Sequence, residues 1–276
     1  MLVSAAVAIA ETRIGKYGER TFSGRPHTVM ERSYIAFKSS AWIVVLSGFV
    51  EPLLYLFSFG YGLGKFIGSM NVGHGHVVSY AAYIAPALLA TSAMNGAIYD
   101  STFNVFWKIK FDRIYEGMLA TSLGPLDVAL GEIGWALLRG FAYAVGFTTV
   151  IVPMGLIRNW WGILAIPAAV LIAFGFAAIG MAITTYMNSF QQMNMIQVVM
   201  LPMFLFSGSF YPLSVYPHWT QEIIKALPLW HAITLVRSLT LGDISMGLLP
   251  HIAYFLVMIF LGLFFTTRRL TALFMR

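Results

Sequence analysis

Four ionisable residues lie inside long apolar runs of this chain, and they are its strongest candidates for chemistry. They are Glu51, Asp100, Glu132 and Arg139. A charge inside a membrane is costly unless it is paired or reaches water. At 1.5 Å per helical residue, Glu51 and Arg139 both lie on the order of 14–17 Å from the inner ends of their runs. The sequence therefore predicts a Glu51–Arg139 pair that either lines a transport path or braces two spans, and a structural role for Asp100 and Glu132 near the cytoplasmic ends of their spans.

A second candidate region is the segment that follows the second apolar run. It reads STFNVFWKIKFDRIYEGMLATSLGPLD, which is a basic patch followed by an amphipathic turn at 115–123. A plain pore needs only a short polar loop at such a place. A structured, charged elbow indicates instead a protein that receives force from a soluble partner on the cytoplasmic side.

A third candidate region is the segment 208–242, GSFYPLSVYPHWTQEIIKALPLWHAITLVRSLTLG. It is too apolar for an exposed loop, and its prolines divide it too often for one helix. Stretches 219–227 and 231–241 have helical periodicity. We expect two short helices that re-enter the outer leaflet and cap the bundle; the alternative is an ordinary outer loop with interfacial tryptophans. The residues assigned to this cap are Trp219, Pro228, His231 and Arg237.

Motifs for catalysis within this chain are missing from the sequence. No G-x-x-x-x-G-K-[ST] loop is present to hold nucleotide phosphates, and no pattern of residues predicts a metal site. A membrane-embedded lipid-modifying enzyme remains an alternative, with a set of acidic residues around the elbow as its nearest candidates (Asp112, Glu116, Asp127 and Glu132). An ion-coupled carrier or channel that uses Glu51 and Arg139 is the other alternative.

Composition identifies the class of protein. Hydrophobic residues make up 59% of the 276-residue chain and charged residues 10%, whereas soluble domains carry about 25% charged residues. A span needs about 20 apolar residues. The sequence predicts an all-α membrane protein whose six spans are 42–63, 80–106, 128–152, 161–187, 193–211 and 248–267. They form one domain, 41–267, between an N-terminal lead-in, 1–40, and a basic tail, 268–276.

The distribution of Lys and Arg predicts the orientation of these spans. Twelve of the seventeen lie in the N-terminal tail, the elbow and the C-terminal tail. Because positive residues collect in the cytoplasm, we expect both termini on the inner side of the cell (inner or plasma) membrane. The net charge of +6 is then a signal of topology and anionic lipids, and it does not call for nucleic acid. The stretch 29–40 mixes apolar and charged residues in the way of an interfacial helix along the inner leaflet.

Three stretches together resemble a known family. They are YIAPALLATSAMNGAIYD, VFWKIKFDRIYEGMLATSLGPLDVALGE and FSGSFYPLSVYPHWTQEIIKALPLWHAITLVRSLTLG. They are similar to the type-2 ABC export permeases, and most of all to the nodulation-protein-J group, over about 25–269. Three positions depart from the family pattern, with Ala87 for Gly, Asp100 for Glu and Ser122 for Pro.

The resemblance implies half of a transporter. Two permease subunits, in a homodimer or a related heterodimer, would pair in the membrane above two copies of a separate ATPase, which would bind ATP and Mg²⁺, so this chain itself would carry no cofactor. The substrate would be an amphipathic drug, lipid or glycolipid/saccharide. The elbow would be the coupling helix that enters a groove on the ATPase, with its apolar residues filling the groove and its charges setting the register. Carried onto this chain, the coupling residues are Arg113, Tyr115, Glu116, Gly117, Met118 and Leu119.

Overall fold

The computed structural model describes residues 21–38, 50, 52–71, 77–157 and 159–274. Helices dominate these residues, with one two-stranded hairpin. In chain order the elements are α1 (Pro26–Phe37), α2 (52–67), β1 (Ser69–Asn71), β2 (Val77–Ser79), α3 (Tyr80–Lys110), α4 (Ile114–Leu119), α5 (Pro125–Ile151), α6 (Trp160–Tyr186), α7 (Phe190–Phe206), α8 (His218–Ala226), α9 (Pro228–Leu241) and α10 (Met246–Phe274).

Four helices of the described part are long and apolar enough to cross a membrane, namely α3, α5, α6 and α10. They match four of the predicted spans to within a few residues, except that α10 continues seven residues beyond 267. Helix α7 is apolar but has only 17 residues. Much of the predicted first span, 42–49 and Glu51, lies outside the described residues. A six-span count therefore stays a prediction.

Helix α3 lies at the centre of the bundle. It is buried along most of its length and packs against α2, α5, α6 and α9. Small residues make this possible, because the alanines along α3 let neighbouring backbones approach closely. At one such approach, a Cβ on Gly180 of α6 would collide with Ser101 Oγ of α3. Helix α10 covers the other side of α6 and exposes large apolar side chains such as Phe260, which suits contact with lipid.

Helix α3 is not a regular α-helix throughout. Its residues Asp100–Asn104 form a π-helical segment. Such single-turn segments widen the helix locally and occur often at functional sites. Here the widened turn begins at one of the four predicted intramembrane charges.

Helix α1 packs on the first half of α5. Gly131 of α5 makes room for it, since a Cβ there would lie 2.5 Å from Val29 Cβ. Further along, Phe37 meets the Trp135 ring edge-on at 5.2 Å. The sequence placed an interfacial helix at 29–40, and the structure has a helix here that begins three residues earlier. Whether α1 lies along the inner leaflet stays a prediction.

The segment after α7 contains the two short helices that the sequence predicts, α8 and α9. Pro228 begins α9 at its first turn, where the missing N–H is not needed. Gly242 ends α9 with a left-handed backbone, φ 82°. The re-entry of this pair into the membrane stays a prediction.

Candidate functional site

A buried ion pair joins the middle of α5 to α3. The Arg139 guanidinium Nε lies 2.9 Å from Asp100 Oδ2, and the two residues are only 7% and 3% exposed. Asn104, one helical turn on, donates its amide to the other oxygen of Asp100. The guanidinium also lies near the rings of Phe37 and Tyr99, at 5.5 and 5.8 Å from their centroids. In the described part of the chain, Arg139 is thus paired with Asp100. The predicted Glu51–Arg139 pair stays a prediction, because Glu51 lies outside the described residues.

A second ion pair joins the same two helices closer to the elbow. Lys108 Nζ lies 2.6 Å from Glu132 Oε2, and Glu132 is buried. Lys108 follows Asp100 by eight residues, while Glu132 precedes Arg139 by seven, so the pairs are about two turns apart on antiparallel helices. We call Asp100, Lys108, Glu132 and Arg139 the ion-pair ladder. Because its charges alternate along each helix, sliding α3 past α5 would separate both pairs.

The elbow helix α4 connects to this ladder through Tyr115. The Tyr115 side chain is fully buried and faces Glu132 of α5. Burial, and after it the charge of Glu132, raise the pKa of Tyr115 well above its usual range. The phenol therefore stays protonated at physiological pH and remains a hydrogen-bond donor. The positive charge of Arg32 in α1 also acts on this hydroxyl, so charged residues of α1 and α5 both influence Tyr115.

The apolar side of α4 faces this chain's own bundle. Tyr115 and Met118 are buried, and Leu119 is partly buried against the same core. In the described structure the Tyr115 and Met118 side chains lie against this chain's own bundle, and their contact with a groove on a partner stays a prediction. The exposed side of α4 carries other predicted coupling residues, Arg113, Glu116 and Gly117. Arg113 adopts a left-handed backbone, φ 49°, at the sharp bend between α3 and α4.

A carboxylate at the start of α5 holds the N-terminal segment in place. Asp127 accepts backbone N–H bonds from Ser23 at 2.6 Å, Arg25 at 2.8 Å and Gly124 at 3.0 Å. The Asp127 carboxylate is completely buried, and three donors satisfy it well. Sequence reasoning gave Asp127 no such role, although an acidic residue at the third position of a Gly-Pro helix start is a capping signal.

On the opposite end of the bundle, Arg237 of α9 fastens the segment after α7. Its guanidinium donates to the Gly208 carbonyl at 3.0 Å and lies 4.0 Å above the ring of Tyr83 in α3. Gly208 has φ 75°, which suits a glycine. Arg237 thus links α9, α3 and the turn between α7 and α8. Its assignment to a re-entrant cap stays a prediction.

His231 of the predicted cap has a partner on α10. Its Nδ1 lies 2.7 Å from Nδ1 of His251, and its ring stacks on Tyr254 with centroids 4.1 Å apart. One nitrogen must donate and the other accept, so the two rings cannot both be protonated. Burial, and then the nearby His251, lower the pKa of His231 to about 4. Trp219, the remaining cap residue, is largely exposed, whereas Pro228 sets the boundary between α8 and α9.

A cavity of about 120 Å³ lies between α2, α3 and α7. Its wall combines aromatic rings with side-chain amides, which are costly in a membrane unless they meet polar partners or water. The polar members are Thr91, Asn95 and Gln197, and the rings are Tyr55 and Phe204. Among the residues that the structure describes, no group of three or more His, Cys, Asp or Glu is placed to hold a metal ion.

The comparison with protein families agrees with this arrangement. The profile described as "ABC-2 type transporter" matches residues 27–241. This range includes the ion-pair ladder, α4, α9 and all of α1 except its first residue, Pro26.

Curated relatives cover nearly the whole chain. Nodulation protein J of Rhizobium leguminosarum bv. trifolii is 33% identical over 241 residues, which are 87% of this chain and 90% of that protein. Nodulation protein J of Rhizobium meliloti (strain 1021) is 31% identical over 248 residues, 88% of this chain and 92% of that protein. The inner membrane transport permease YadH of Escherichia coli (strain K12) is 25% identical over 205 residues, 73% and 77% of the two chains. With a family profile that matches most of its length, this chain belongs to the ABC-2 type transporter family.

Proposed function

We propose that this permease is the transmembrane subunit of an ABC exporter, driven by a separate ATPase that docks on α4. Two copies of the ATPase, each binding ATP and Mg²⁺, would act on a pair of permease subunits. The proposed cargo is an amphipathic drug, lipid or glycolipid/saccharide that leaves the cytoplasm or the inner leaflet. Both termini would face the cytoplasm, and the membrane would be the inner or plasma membrane.

The observation that carries this proposal is the two-sided character of α4. Its exposed side offers charge for recognition in Arg113 and Glu116, while its buried side places Tyr115 against Glu132. Glu132 is ion-paired with Lys108 at the end of α3. A push on α4 would thus reach α5 where the buried Tyr115 faces Glu132, and it would reach α3 through the ion pair of Glu132 with Lys108.

The polar cavity between α2, α3 and α7 supports a transport role. Asn95 and Gln197 can donate and accept hydrogen bonds, and Tyr55 and Phe204 offer apolar surface beside them. This mixture suits a cargo with polar and apolar parts. The wall is formed by helices on both sides of the cavity, so movement of α3 would change its shape.

A pair of outward-facing variants tests the docking on α4. Glu116→Lys reverses an exposed charge without touching the core, so we expect weaker capture of the ATPase on copurification and loss of ATP-driven transport. Glu31→Lys makes the same change at an exposed position of α1 and serves as the control. Equal ATPase capture by both variants would contradict the docking role, and transport that needs no ATPase would identify an ion-coupled carrier.

Tyr115→Phe tests the inward side separately. The substitution keeps the ring in its buried place but removes the hydroxyl that faces Glu132. We expect the ATPase to remain bound and to hydrolyse ATP, with a lower amount of cargo moved per ATP. An unchanged ratio of transport to hydrolysis would remove Tyr115 from the coupling path.

A further inference from the structure

A second cavity, of about 290 Å³, lies between α6 and α7 and is lined almost entirely by carbon and sulfur atoms. Five methionines contribute to it, and their flexible side chains can adapt to an occupant. They are Met187, Met195, Met200, Met203 and Met258. The cavity is open to the side, since Ile183 and Val199 on its rim are about half to two-thirds exposed. We call it the methionine groove.

The groove has the length of a single membrane leaflet. One wall follows α6 from Phe176 and ends at Met187, directly after the helix, and the other runs along α7 from Met195 to Met203. At 1.5 Å per residue these walls are roughly 12–16 Å long. The hydrocarbon core of a bilayer is about 30 Å thick, so one leaflet is about as deep as the groove is long.

Two cations flank the end of the groove at Met187. Lys110 Nζ lies 3.4 Å from Asn188 Oδ1, just after Met187 in the chain. Arg269 Nε lies 3.5 Å from the Thr185 carbonyl, just before it, and the guanidinium lies 4.9 Å from the centroid of the Tyr186 ring. Within the described ranges, neither cation is ion-paired with a carboxylate.

Aromatic side chains mark the same end as a membrane interface. Trp107 lies near Lys110 on α3, and its ring contacts those of Phe111 and Phe190, with centroids 4.2 and 6.4 Å away. Trp107 and Phe190 are both almost half exposed. Exposed tryptophan beside lysine is the usual composition at the level of lipid headgroups.

We propose that the methionine groove binds one acyl chain of an anionic phospholipid from the inner leaflet, with Lys110 and Arg269 holding the phosphate. The two cations at one end argue for an anionic lipid over a second copy of this chain, because a phosphate would supply the negative charge that the lining of the groove lacks. The matched length and the lateral opening argue for a single chain that enters from the bilayer. This site is separate from the polar cavity, and it does not depend on the proposed transport function.

Photolabelling tests the acyl-chain part. The full-length protein is placed in nanodiscs of phosphatidylcholine that contain phosphatidylglycerol with a diazirine on one acyl chain, and the labelled peptides are mapped by mass spectrometry. We expect labelling on α6 and α7, and a severalfold decrease in Val199→Trp, which fills the groove. Val198→Trp is the control, because Val198 is equally exposed, 64% against 65%, but does not line the groove.

Three results would overturn the acyl-chain site. These are equal labelling of the two tryptophan variants, labelling spread over all exposed helices, and a disulfide between two copies of a Val199→Cys variant with no lipid label. Should Val199→Trp fail to fold, Ile183→Trp fills the same groove from α6 and gives the same readout.

A second measurement tests the headgroup part. The preference for phosphatidylglycerol over phosphatidylcholine, measured by native mass spectrometry of retained lipid, should fall about fivefold in each of Lys110→Gln and Arg269→Gln. Arg268→Gln removes an exposed charge at the adjacent position and should leave the preference unchanged. An equal fall in Arg268→Gln, or none in the other two, would contradict a specific phosphate site.

Discussion

Removing one charge of the Asp100–Arg139 pair should destabilise the protein more than removing both charges. The two side chains are 2% and 6% exposed and 2.9 Å apart. Breaking a buried ion pair strands a charge and costs about 3–5 kcal/mol. Because Asn104 can still reach Asp100, and the rings of Phe37 and Tyr99 lie beside Arg139, we expect the lower end, about 3 kcal/mol for either Asp100→Asn or Arg139→Gln.

The double variant carries no stranded charge, so it should cost less than the roughly 3 kcal/mol of either single variant, far below the additive value of about 6 kcal/mol. The coupling energy should therefore exceed about 3 kcal/mol. The assay is reversible unfolding in mixed micelles, followed by circular dichroism. The control cycle uses Glu222 and Lys225, which are 2.7 Å apart but 71% and 42% exposed, and whose coupling should stay below about 1 kcal/mol. Additive losses of unfolding free energy at Asp100 and Arg139 would refute the reasoning. A transport defect without loss of stability would place the pair on a water-filled transport path.

Two further predictions follow from contacts at opposite ends of the bundle. Gly131→Val should displace α1 and expose it to trypsin, because a Cβ at Gly131 would already lie 2.5 Å from Val29. Gly117→Val is the control and should leave the digestion pattern unchanged, since nothing lies within 4 Å of a Cβ at Gly117. Equal digestion of the two variants would contradict the packing of α1 on α5. Thermal stability should fall as the pH is lowered from about 6.5 to about 4. In the unfolded protein His231 has a pKa of about 6.5, so it takes up a proton at a higher pH than in the folded protein, where its pKa is about 4. His231→Asn should flatten this part of the profile, and an unchanged slope in that variant would assign the effect to other groups.

The long helices could be predicted from the sequence because hydropathy is a local property. Continuous apolar runs locate α3, α5 and α6 within a few residues, and they locate α10 apart from its last seven residues. The partner of Arg139 could not be predicted from depth along a span alone, because depth does not say which way a side chain points around its helix. The order of charges along α3 and α5 could have indicated the pairing. Each helix carries an acidic residue followed by a basic one, so in an antiparallel arrangement each acidic residue lies opposite a basic residue of the other helix.

The direction of α4 could not be predicted either. A six-residue helix with one apolar side fits a partner's groove and its own bundle equally well. Only the position of Glu132, which comes from the packing of α5, places Tyr115 inside. The π-helical turn at Asp100–Asn104 also depends on neighbouring helices, since nothing in DSTFN requires it locally.

The clasp around Asp127 has a consequence for biosynthesis. Ser23 and Asp127 are 104 residues apart in the chain, so the ribosome releases the first long before the second. During that interval α1 has no α5 to pack on, and α2 and α3 are synthesised before the clasp can close. Residues 23–25 are therefore secured only after α3 and α4 have been made. A nascent chain stalled before Asp127 should leave residues 23–25 open to added protease, and completion of α5 should end that exposure.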